Sequence, residues 1–106
     1  MNRLFLRPEA EVSIANASNQ IRLRSPQKSA NFLAEVDAAI DKIEVQPRAY
    51  AIRYRNVRRI NLASFPYALV FRVEEKLDPQ TNQNVEDIVV LLCLHQRQDL
   101  EGALNP

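Results

Sequence analysis

A single glycine, Gly102, among 106 residues constrains this chain more than any other feature. Average usage of ~7% would give about seven. Backbone that must approach a phosphate closely needs glycine, so a P-loop, a GxGxxG turn and a GxSxG elbow are excluded. One cysteine (Cys93) and one histidine (His95) further exclude an intrachain disulfide, a CxxC pair and a histidine-based metal cluster. No cofactor is called for. The length suits one domain spanning 1–106, able to bury about two-thirds of its unfolded surface without staples. Its longest apolar run, Ile88 to Leu94, has seven residues against the ~20 of a membrane span. The apolar stretch within Met1–Pro8 is too short for a signal peptide. A cytoplasmic protein with no membrane partner is the expectation.

Hydrophobic periodicity gives an α+β layer. Arg3 to Leu6 is a candidate first strand. Pro8 fits the first position of a helix, and Glu9 and Glu11 favour the positive end of its dipole. Ala10, Ile14, Ala17 and Ile21 then follow at spacings of four, three and four. Ser25-Pro26 repeats the start signal for a second helix, whose stripe is Phe32, Leu33, Val36, Ala39, Ile40 and Ile43. Pro47 stops it. Helices over 8–24 and 26–45, joined by so few residues, form an antiparallel hairpin.

From Tyr50 the period changes to two. Val57 to Phe65 reads as a strand with Arg58, Ile60, Leu62 and Ser64 on one face and Arg59, Asn61 and Ala63 on the other. In the next strand Tyr67, Leu69, Phe71 and Val73 alternate with Ala68, Val70, Arg72 and Glu74. Glu75 to Asn84 is polar and reads as a solvated, flexible loop. The run Ile88–Leu94 is apolar on both faces, which suits a central strand covered on both sides. The order β-α-α-β-β-β then places a helix hairpin on a twisted antiparallel sheet. Its expected core includes Ile14, Ile21, Phe32, Val36, Ile40, Leu69, Phe71, Val89 and Leu91. Residues 100–106 are expected as a flexible tail.

Charge is unevenly spread. Residues 1–44 balance, residues 45–73 carry Arg48, Arg53, Arg55, Arg58, Arg59 and Arg72 with no acid, and residues 74–106 carry seven acids against Lys76 and Arg97. An acidic partner or a polyanion fits the middle segment best.

Several motifs, in this order, resemble the RelE/ParE toxin superfamily of bacterial type II toxin–antitoxin systems, whose members include plasmid stabilisation proteins. They are Pro8-Glu9-Ala10-Glu11 after a short strand, Ser25-Pro26 before Phe32-Leu33, and Val57-Arg58-Arg59-Ile60. Phe65-Pro66-Tyr67, Phe71-Arg72-Val73-Glu74 and Leu94-His95-Gln96-Arg97-Gln98-Asp99 complete the set, so the resemblance covers residues 3–99. It implies a toxin that arrests growth and is held in a hetero-oligomer with its cognate antitoxin. RelE-like relatives cut mRNA on the ribosome; ParE-like relatives poison DNA gyrase by binding it. A third possibility is an inactive member that serves only as a binding partner.

The resemblance also implies where a ribonuclease site would lie. Cleavage through the 2′-OH needs a base, an acid and positive charge on the phosphate. Arg59 and Arg97 fall on basic positions of the RelE-like pattern, with His95 as a possible proton carrier. Asn61 and Ala68 fall where those ribonucleases carry a lysine and an arginine, and 100–106 holds no tyrosine. Little is then left to stabilise a pentacoordinate phosphate, so the ParE-like reading is preferred. As a binding surface the expected residues are Arg53, Arg55, Arg58, Arg59, Arg72 and Arg97. Each also has an ordinary reading: solvated strand arginines, a packed His95 and Tyr67, a buried inert Cys93, and an Asp99 that pairs with Arg97 or Arg72.

Overall fold

Pro8 and Ser25-Pro26 start helices where their chemistry says they should. In the computed structural model, which describes residues 2–104, α1 spans Pro8–Arg22 and α2 spans Pro26–Val45. Ser25 Oγ accepts the Lys28 N–H at 3.2 Å, satisfying one orphan donor of α2. The helices meet through small residues, and the Ser18 and Ser29 hydroxyls lie 2.7 Å apart across the contact. Phe32, Val36, Ala39 and Ile43 are buried on α2, with Ile40 half-buried beside them. Leu33, expected in this stripe, is 41% exposed.

The strands are β1 (Asn2–Leu6), β2 (Ile52–Tyr54), β3 (Val57–Asn61), β4 (Tyr67–Leu77) and β5 (Asn84–His95), with a single 3₁₀ turn at Pro47–Ala49. Their order in the sheet is β1-β5-β4-β3-β2. Three neighbouring pairs are antiparallel, but β1 joins β5 in parallel, so the expected antiparallel sheet is mixed. Apolar alternation in a short strand carries no direction, which is why the sequence was silent on this. β2 is an added edge strand of three residues. Arg55, at φ 52°, makes its tight turn into β3.

Three further expectations are corrected. The strand at Val57 ends at Asn61, because the Leu62 N–H turns back to the Tyr67 carbonyl at 2.9 Å. The polar segment 75–84 is ladder at both ends: Glu75 pairs with Glu86 and Leu77 with Asn84. Only Asp78–Gln83 turns, closed by an Asp78 N–H to Gln83 carbonyl bond at 2.8 Å and by Asn82 at φ 57°. Residues 100–104, expected in the tail, form α3 (Leu100–Leu104), because Leu100, Ala103 and Leu104 recur at helical spacing and find a surface. The last two residues of that tail lie outside the described residues.

Both sheet faces are covered, as the run in β5 requires. The α1–α2 hairpin packs on Ile60, Leu69, Phe71, Ile88, Val90 and Cys93. On the other face α3 packs on Val57, Val70, Leu91 and Leu94. A bulge between Val70 and Phe71, paired to Leu92 and Val90, leaves Leu91 as an extra residue in β5. Leu91 and Leu92 thereby both belong to the α3 side, together with Val89. Among the described residues no helix is long and apolar enough to cross a membrane.

Asp87, only 5% exposed, ties three strands together. It accepts a 2.8 Å hydrogen bond from Arg3 Nε on β1 and lies 3.6 Å from Lys76 Nζ on β4. The hydrogen bond from Arg3 holds the carboxyl below the usual carboxylate range, against the opposing effect of burial and with help from Lys76. A depressed folded pKa stabilises above the unfolded value of about 4 and is lost as pH falls through the folded value. Asp87→Asn is expected to cost about 1–2 kcal/mol at pH 7. In urea titrations the gap from the parent should narrow below about pH 4. A gap that stays constant down to pH 3 would show that the ionised carboxylate contributes nothing.

Candidate functional site

Register decides which arginines can act together. Val57 pairs with Arg72, Arg59 with Val70 and Asn61 with Ala68, so Arg59 and Arg72 lie on the α3 face. Arg58 pairs with Phe71 and lies on the hairpin face. There it is half-buried and donates to the Tyr50 carbonyl at 2.7 Å. The sequence had placed Arg58 and Arg59 on opposite faces, and they are.

On the α3 face, Arg59 Nε donates to Asn61 Oδ1 at 2.9 Å and its Nη2 reaches the Gln96 carbonyl at 3.4 Å. Arg72 Nε lies 2.8 Å from Glu74 Oε1, though not aligned as a hydrogen bond. Arg48 is ion-paired with Glu86. Arg53 is exposed on β2, and the Arg55 guanidinium lies 5.2 Å from the Tyr54 ring centroid. The +6 segment is therefore partly neutralised by acids from the segment after it. Arg59 and Arg72 flank an apolar strip that α3 covers.

His95 pairs with Tyr67 at the end of β5, on the hairpin face. The two rings meet edge to face with centroids 5.4 Å apart. Its Nδ1 accepts the Arg97 N–H at 3.1 Å, so in the neutral ring the proton sits on Nε2. Arg97 is exposed in the turn after β5. The structure thus brings His95 and Arg97 together through backbone, while Arg59 lies on the other side of the sheet. Asn61 is exposed and uncharged, and the Ala68 methyl is fully buried. Asp99 pairs with neither arginine; its carboxylate accepts the Gly102 N–H at 3.3 Å and opens α3. Cys93 is buried, its thiol pushed up to about 11 by that burial, and stays protonated at neutral pH.

Two residues that sequence reasoning missed line a cleft on the hairpin face: Arg24 and Lys28, at the joint of α1 and α2. The signal was present, since residues 12–34 carry three basic side chains and no acid.

A helix hairpin on one face of a small mixed sheet is a fold found in toxin–antitoxin structures. The solved structure described as "Chromosomal ParDE TA system from P. aeruginosa" superposes with a TM-score of 0.70 over 90% of this chain and 96% of that one, at 17% identity. At the sequence level, the family model described as ParE toxin of type II toxin-antitoxin system, parDE, matches residues 4–100. The chain belongs to the ParE toxin family. Among curated proteins no match is found.

Proposed function

We propose that this ParE-family toxin arrests growth by binding a protein target, DNA gyrase, and that a cognate antitoxin holds it inactive in a hetero-oligomer. The observation that carries the reading is the division of the would-be ribonuclease groups. Arg59 and His95 sit on opposite faces of the sheet, and Asn61 and Ala68 supply no charge between them. General acid–base cleavage needs its groups within hydrogen-bond reach of one phosphate. Inhibition by binding needs only a complementary surface.

The test is direct. Purified toxin is expected to inhibit gyrase supercoiling and to accumulate cleaved-DNA complexes, while primer extension after induction shows no codon-phased mRNA cuts. Cuts that vanish in Arg97→Ala would overturn the proposal in favour of a ribosome-dependent endonuclease. In that case each lost charge-stabilising group should cost about 10²–10³ in rate. Co-expression with the product of the neighbouring reading frame should yield one hetero-complex on size exclusion. Separate elution at micromolar concentration would argue against an antitoxin partner.

A further inference from the structure

The cleft beside His95 has a chemistry of its own. It is ≈850 Å³ in volume and opens where the α1–α2 joint overhangs the β3–β4 connection. Its exposed cations, Arg24 and Lys28, enter no ion pair among the described residues. The first turn of α2 also offers Lys28 no acid. Half-buried Ile21, Phe65 and Tyr67 supply the apolar wall, and His95 adds a ring whose free nitrogen donates when neutral.

The charge runs in a direction. Lys28, Asn31 and Glu35 line the cleft in succession from one face of α2, at spacings of three and four. A rise of 1.5 Å per residue puts Glu35 about 10 Å along from Lys28. Glu35 is already committed on one oxygen, accepting the Ser64 N–H at 2.8 Å. The groove is thus positive at one end and negative at the other, with Ile21, Phe65 and Tyr67 as its apolar wall.

We infer that this cleft binds an extended segment of a partner protein. An acidic residue of that segment sits at Arg24 and Lys28, an apolar side chain lies against Ile21, Phe65 and Tyr67, and a cation or N–H donor meets Glu35. An extended peptide covers ~3.3 Å per residue, so the acid and the donor are about three residues apart. A nucleic-acid strand fits worse, because its next phosphates would run towards the Glu35 carboxylate. The inference names a surface and a chemistry and does not depend on which protein the toxin poisons.

The probe is a fluorescein-labelled peptide, Gly-Glu-Asp-Phe-Val-Lys-Gly, titrated against the purified chain by fluorescence anisotropy. Binding should weaken with added salt and fall about tenfold in the Arg24→Glu/Lys28→Glu variant or when the peptide acids become amides. A peptide with lysines in place of its two acids should recover binding to the charge-reversed variant, an outcome a merely destabilised protein cannot give. Lys28→Gln, which removes charge without reversing it, carries the same comparison if the double variant melts lower than the parent. Amide chemical-shift changes should centre on Ile21, Phe65, Tyr67 and His95. Equal binding of acidic and neutral peptides, shifts confined to the α3 face, or a ten-residue oligothymidylate that binds more tightly than the peptide would each overturn the inference.

Discussion

Phe32→Ala is expected to cost about 3–5 kcal/mol, enough to leave the chain largely unfolded at 37 °C. Phe32 is fully buried and sits at the centre of an aromatic group. Its ring meets Phe65 edge to face with centroids 5.4 Å apart and Tyr67 at 5.5 Å. Removing it opens a cavity and also unseats the two rings that hold the β3–β4 connection under α2. For a domain of this size the loss corresponds to a fall in Tm of about 15 °C or more. Thermal unfolding followed by circular dichroism measures it directly. A fall below about 5 °C would mean that the site collapses to fill the void, and that α2 is not fixed by this contact.

Truncation after Asp99 should have the next largest effect. It deletes Leu100, Ala103 and Leu104 and uncovers Val57, Val70, Leu91 and Leu94. Returning that apolar area to water costs about 3 kcal/mol. The bared patch should also promote self-association, read as a shift to larger species on size exclusion. A truncated chain that stays monomeric and melts with the parent would show that α3 does not cover the strip in solution. The milder Leu104→Ser variant should move both readings the same way by a smaller amount.

How much of this was legible follows from which physical signals are local. The hairpin was, because Ser25-Pro26 and the stripe Phe32, Val36, Ala39 and Ile43 state a start and a face within one segment. So were the faces of β3 and β4, since alternation fixes them without reference to a neighbour. The extension of the β4–β5 ladder was not: Glu74 to Leu77 and Asn84 to Asp87 are held by backbone pairing and by ion pairs such as Lys76 with Asp87, which leave no apolar pattern. β2, at three residues, is too short to carry a period, and the single turn of α3 has its i, i+3, i+4 spacing only once.

The candidate site divides in the same way. That Arg58 and Arg59 part company is written in their adjacency. That Arg72 meets Glu74 follows from their shared face two residues apart, whereas the pairing of Arg48 with Glu86 required two distant segments to be folded together. The joint at Arg24 and Lys28 is inconspicuous in sequence because its cations lie within residues 1–44, whose charges balance. Its meaning also depends on Phe65, Tyr67 and His95, which only the fold brings near.

The parallel seam between β1 and β5 has a consequence for the order in which this toxin comes into being. Asn2 pairs with Glu86, 84 positions further along the chain. During synthesis β1 therefore leaves the ribosome long before the strand it needs, while the α1–α2 hairpin can already form from local contacts. Closing the sheet late, across so long a loop, is the slow kind of step that high contact order imposes. Until then the apolar face of the hairpin is open, and an antitoxin already present could meet the nascent chain before it is a finished toxin. A cell making both proteins would gain a safeguard from the timing of a single strand.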